Sequence, residues 1–143
     1  MARPDPLVVA ERLHAGAIRL LRRARVADDA TGLSAPKLSA LSVLAFGGPA
    51  SLSALARAEQ VTAPTMSKLV GDLEGEGLVA KRADRTDKRA VRIEVTAKGR
   101  SLMEAGRKRR LALLRGRLAE LPRVELETLA AAAEIMLRLA AGD

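Results

Sequence analysis

Apolar residues recur at helical spacing from Leu7 to Val26, with Val9 or Ala10, Leu13, Ala17, Leu20 and Leu21 along one face. The spacing predicts a helix, α1, which Asp28 to Gly32 breaks. Ser34-Ala35-Pro36 opens α2: Ser34 can cap, and proline is tolerated in a first turn. This helix carries Leu38, Leu41, Leu44 and Ala45 and stops at Gly47-Gly48-Pro49. Ser51 caps a short α3, Leu52 to Glu59, and Thr62-Ala63-Pro64 opens α4, which runs to about Glu76 with Gly77 as its C-terminal glycine. The period then changes. Leu78 to Arg82 reads as a strand, and Val91, Ile93 and Val95 alternate with Arg92 and Glu94 as a second strand with one buried face. The polar loop Ala83 to Lys88 joins them as a hairpin. Thr96 caps a long α5 to about Leu118. Leu121-Pro122 starts α6, with Pro122 at the first helical position and Leu126, Leu129, Ala133, Met136 and Leu137 as its stripe. The expected fold is mainly α with a small β-hairpin (α+β), in the order α1-α2-α3-α4-β-β-α5-α6.

Composition narrows this picture. The 143 residues suit one subunit, 1–143, and 48% apolar content is enough for a core. Phe46 is the only aromatic, so aliphatic residues and alanine must fill the interior, a mixture that favours helices. The absence of cysteine excludes disulfides, thiolate metal sites and cysteine redox sensing. Met1 to Pro6 shows no signal peptide, and no apolar run reaches the ~18 residues of a membrane span. A cytoplasmic protein is expected, with no membrane partner, no metal and no cofactor. The net charge of +8 is concentrated: Lys81 to Arg110 holds twelve basic and four acidic residues, and the remainder is balanced. A localised basic zone is the footprint of a polyanion site, while the same zone without a partner would be a solvated face.

The segment from Leu52 to Glu76 says which polyanion. Two short helices joined by Gln60-Val61-Thr62 form a helix-turn-helix, whose second helix can enter the major groove of double-stranded DNA. Leu52, Leu55, Ala56, Val61, Met66, Leu69, Val70 and Leu73 make its inner side. Thr65, Ser67 and Lys68, with Thr62 and Pro64 at the helix start and Ser51 at the start of α3, are the candidate contacts on the other. Short hydroxyls and free N–H groups at a helix start suit phosphate oxygens, and Lys68 can reach guanine or a phosphate. The following hairpin reads as a wing. Arg82, Arg85, Lys88 and Arg89 crowd its loop side, and a long cationic side chain at a wing tip can enter a narrow minor groove. Asp84 and Asp87 would weaken a merely electrostatic patch and make better sense as loop-shaping groups, bonding to backbone or orienting Arg89.

These motifs resemble those of the MarR (multiple antibiotic resistance regulator) family. Leu55-Ala56, Val61 to Val70, Leu73-Glu74 and Gly77-Leu78-Val79 look like its helix-turn-helix. Asp87-Lys88-Arg89-Ala90-Val91 followed by Val95-Thr96-Ala97-Lys98-Gly99 resembles its wing and the start of its fifth helix. The resemblance implies a sequence-specific transcription regulator: a winged helix-turn-helix over 34–96, with dimerisation helices at 5–27 and 97–141. It implies that Arg89 is the wing-tip arginine and Asp87 its partner. It also implies a repressor released by a small effector, commonly an aromatic or acidic ligand held near α1, α2 and α5. The effector-binding residues are unknown. Lys88 stands where arginine is more usual, and Gly71 inside α4 costs about 1 kcal/mol relative to alanine.

A homodimer is also expected from the residues. Ala130 to Ala133 and Ile135 to Leu139 make α6 apolar on more than one side, and α1 shows a similar excess. A two-fold dimer would read a pseudo-palindromic operator with half-sites about one DNA turn apart and would associate with the nucleoid when bound. Arg107-Lys108-Arg109-Arg110 on α5 adds to the field or forms a solvated face. An enzyme is disfavoured: His14 is the lone histidine, on an apolar helix pattern, and no GxSxG, P-loop or HExxH motif occurs. The alternative is a non-specific architectural DNA-binding protein, which would need no hydroxyl-bearing recognition face.

Overall fold

Side-chain oxygens start most of the helices. Asp5 accepts from the Leu7 N–H ahead of α1 (Pro6–Arg25), and Ser51 from Ala54 ahead of α3 (Leu52–Ala58). Thr62 accepts from Thr65 ahead of α4 (Ala63–Gly75), and Thr96 from Gly99 ahead of α5 (Ala97–Leu118). Such caps are each worth about 1 kcal/mol. Two expected starts differ. Ser34 has a cap's extended backbone before α2 (Ala35–Gly47), but its hydroxyl makes no cap bond. Pro36 removes one of the two N–H donors that such a hydroxyl reaches. Pro122 lies one position earlier than expected: its ψ of 148° is extended, so it precedes α6 (Arg123–Ala140), and its carbonyl accepts from Leu126 N–H.

The computed structural model describes residues 1–141; the last two positions of the expected 1–143 subunit lie outside the described residues. The chain is mainly helical with a small sheet, as the periodicities imply. The stretch expected only to break α1 is itself a 3-10 helix, Val26–Thr31, ended by Gly32 in the left-handed region at φ 70°. Among the described residues the sheet has three strands, not two. Ala50–Ser51 forms β1, Val79–Ala83 β2 and Val91–Val95 β3, in the antiparallel order β1-β3-β2. Leu78 falls outside β2 because its N–H closes the end of α4 on the Leu73 carbonyl, with Gly77 at φ 74°.

One core joins these elements. Leu41 and Leu44 of α2, Leu55 of α3, Met66, Val70 and Leu73 of α4, and Ile93 of β3 are the largest fully buried side chains, with Met103 of α5 beside them. Burying each aliphatic side chain contributes ~1.5–3 kcal/mol. The alternation of β3 puts Ile93 inward and Arg92 outward, but Val91, expected on the same buried face, is 51% exposed because it lies at the loop end of the hairpin, beyond the core. By contrast, α1 and α6 bury no residue within the subunit. Among the described residues no helix is long and apolar enough to cross a membrane.

Candidate nucleic-acid interface

The turn between α3 and α4 depends on two residues. Gln60 adopts φ 55°, a left-handed conformation uncommon outside glycine, and reverses the chain. Val61 then donates its N–H to the Ala56 carbonyl at 3.0 Å. Ala56 is buried, so its small side chain lets the two helices approach there. With Met66, Val70 and Leu73 inward, the early outer face of α4 presents Pro64, Thr65, Ser67 and Lys68 to solvent, with Thr62 exposed just ahead of them. No acidic residue lies in the first turn. Thr62 and Thr65 bond each other through their hydroxyls at 2.9 Å, which orients the pair at the helix start. Ser51 is half-buried and holds α3: its hydroxyl accepts from Ala54 N–H and bonds the Ser53 hydroxyl.

The hairpin loop is shaped by its two aspartates. Asp84 donates its N–H to the Ala90 carbonyl, and Ala90 donates to the Asp87 carbonyl, closing the loop. The Asp84 carboxylate accepts from both the N–H and the hydroxyl of Thr86 at 2.9 Å. Those two bonds, then the nearby Arg92 guanidinium, hold its pKa below the ordinary aspartate range. Asp87 accepts from the Arg89 backbone N–H at 3.0 Å, so it shapes the loop and makes no ion pair with the guanidinium. Arg85, Lys88 and Arg89 are exposed and form no ion pair among the described residues. Arg82 is different: its Nε donates to Glu94 at 2.9 Å, which occupies it on the sheet face. Arg92, not among the sequence candidates, sits beside it.

The far end of α4 is tied down from two elements. Lys37 of α2 pairs with the Glu76 carboxylate, a contact that raises the lysine pKa. Lys98 of α5 donates to the Glu76 carbonyl at 2.8 Å, and the Thr96 hydroxyl donates to the Gly77 carbonyl at 2.6 Å. The basic run on α5 is divided. Arg109 donates to the Ala27 carbonyl and Arg110 pairs with Asp28, which docks the 3-10 helix; Arg107 and Lys108 remain exposed. A cleft of about 360 Å³ opens beside that ion pair, lined in part by Arg25, Leu33, Leu38, Met103 and Arg110. His14 is exposed on α1.

Known proteins share this organisation. The model of the MarR family matches residues 31–90. An HTH-type transcriptional regulator of Mycobacterium tuberculosis is 35% identical over 131 residues, covering 92% of this chain and 92% of the relative. The crystal structure of a transcriptional regulator from Thermotoga maritima superposes with a TM-score of 0.82 at 21% identity, over 96% of this chain and 99% of that one. A mutant of the Staphylococcus aureus regulator MepR, bound to an oligodeoxyribonucleotide, superposes with a TM-score of 0.67 at 22% identity, over 92% of this chain and 97% of that one.

Proposed function

The chain belongs to the MarR family and is a DNA-binding transcription regulator of the winged-helix type, and we propose that it acts as a dimeric, sequence-specific repressor. Residues 34–96 bind DNA in this proposal. The start of α4 lies in the major groove, where Thr65, Ser67 and Lys68 meet base edges and Thr62, with the helix N-terminus, meets phosphate. Arg89 enters the flanking minor groove from the wing, with Arg85 and Lys88 on the backbone beside it. One observation carries this assignment: the outer face of early α4 is uncharged apart from Lys68, and Arg85, Lys88 and Arg89 of the wing loop form no ion pair among the described residues. The similar MepR protein is bound to an oligodeoxyribonucleotide, which supports DNA as the partner.

Residues 5–27 and 97–141 pair two subunits. Leu21 is 63% exposed on α1, and Val124, Leu137 and Leu139 are 72%, 67% and 70% exposed on α6. That much apolar side chain in water marks an association surface. A small aromatic or acidic effector would sit in this cleft, where Leu33, Leu38 and Met103 supply apolar surface and Asp28 and Asp29 stand beside Arg25 and Arg110, so that an acidic ligand would have to displace Asp28 from Arg110. Occupation there would act on the junction of the 3-10 helix with α5 and release the operator.

Selection of bound fragments from genomic DNA with the purified protein tests this function. Recovery of one recurrent two-fold motif, with half-sites about one helical turn apart, is expected. Recovery of fragments with no shared motif would instead establish the architectural alternative.

A further inference from the structure

On the outer face of the sheet, Arg92 of β3 has Arg82 of β2 as its direct cross-strand partner and Ser51 of β1 on its other side. Two arginines opposed in this way repel each other unless anions intervene. Here two carboxylates intervene on the diagonals: Glu94 takes Arg82, and Asp84 faces Arg92. The Arg92 guanidinium does more than balance charge. Its Nη2 donates to the Pro49 carbonyl at 2.8 Å, in the segment that leads into β1 and α3. Its Nη1 lies 3.9 Å from Asp84 Oδ2, at the base of the wing loop. Asp84 uses its other oxygen, Oδ1, on Thr86, so the loop backbone is gripped through the same carboxylate. The planar guanidinium, with donors on both sides, can span the two sites, which a lysine ammonium could not do in the same way.

We infer that Arg92 and Asp84 form a brace that fixes the angle of the wing to the helix-turn-helix, and that they are positioning residues for Arg89 rather than DNA contacts. The inference rests on the wing assignment proposed above. With the brace in place, the wing tip and α4 are presented to DNA as one rigid pair, and the cost of ordering the loop is met before DNA arrives. Without it, the β2–β3 loop keeps its own turn but loses its fixed direction relative to α3 and α4.

The full-length protein and a duplex carrying the selected operator, titrated by fluorescence anisotropy, test this. Arg92→Ala and Asp84→Asn should each weaken binding roughly threefold or more, within the reach of a half-exposed ion pair repeated on two subunits. Asp84→Asn is the sharper probe, because it removes a negative charge near a polyanion and would strengthen binding if charge alone mattered. In an Arg89→Ala background each substitution should weaken binding less than it does in wild type, since the main residue being positioned is gone and only Arg85 and Lys88 remain on the wing. Should Arg92→Ala melt early, the neutral and similarly shaped Arg92→Gln takes its place. Unchanged or tighter binding by Asp84→Asn, or fully additive losses in the Arg89→Ala background, overturns the brace alone. Wild-type affinity in Arg89→Ala itself overturns the wing assignment and the brace together.

Discussion

Placing a methyl group at Gly99 should break the seating of α5 on the end of the recognition helix. A Cβ there would lie 2.2 Å from the Leu78 carbonyl oxygen, 2.8 Å from Val95 Cγ2 and 3.1 Å from the Leu78 carbonyl carbon. Ordinary contacts begin near ~3.4 Å, so α5 and the start of β2 must part by about an ångström. Leu78 cannot swing aside, because its carbonyl accepts from Thr96 N–H at 3.0 Å and its own N–H is bound to Leu73. Overpacking of this kind costs ~1–3 kcal/mol, and each loosened hydrogen bond about 1 kcal/mol more. The helix propensity of alanine returns up to ~1 kcal/mol. The balance is a loss of about 2–4 kcal/mol for Gly99→Ala, a fall in melting temperature of roughly 8–16 °C for a chain of this size. Thermal unfolding followed by circular dichroism at fixed protein concentration measures it. Gly71→Ala is the control, since an added Cβ there meets nothing within 4 Å; it should melt at or a few degrees above wild type, by about 4 °C at most. A Gly99→Ala midpoint within about 2 °C of wild type would refute the reasoning.

The proposed dimer should sediment without DNA as a single species of twice the chain mass at micromolar concentration, and a clean species of one chain's mass contradicts it. Lys68→Ala should cost roughly 1–3 kcal/mol in operator binding and relax preference at one position per half-site; uniform weakening on every sequence would reassign Lys68 to phosphate. The Asp84 carboxyl, followed by NMR, should titrate below the ordinary aspartate value of about 3.9. Its ionised form supports the loop above that pH, and the support is lost as pH falls through the lower folded value. Thr86→Val, which removes the hydroxyl donor, should raise the midpoint, and a midpoint that stays put contradicts the assigned cause.

Much of this architecture was legible in the chain because its signals are local. The two Ser/Thr-Ala-Pro starts, Gly77, and the switch from helical to alternating period at Leu78 mark α2, α4 and the hairpin within a residue or two. Two residues carry no period, so β1 at Ala50–Ser51 was invisible until β3 paired with it. The 3-10 helix shows a similar limit: its docking depends on Arg109 and Arg110, 82 positions away from Ala27 and Asp28. Spacing alone groups Arg82 with the loop cations, and spacing cannot show that Glu94 faces it across the ladder. In the sequence Arg92 shows only as the polar half of an alternation. Its bond to the Pro49 carbonyl spans 43 positions, and the one available signal was that two arginines opposed on a sheet require nearby anions.

Arg89 tests most directly whether α4 and the wing read DNA together. Operator affinity would be measured for wild type, Arg89→Ala and Arg57→Ala across a range of salt. Arg57 is the comparison because it is exposed on α3, carries the same charge and has no assigned contact. Arg89→Ala should retain its melting temperature, lose at least about tenfold in affinity (on the order of 1.4 kcal/mol) and show a shallower salt slope, as fewer counterions are released. Arg57→Ala should change little. Equal affinity for Arg89→Ala and wild type at physiological salt contradicts the account and would make the basic hairpin a solvated face.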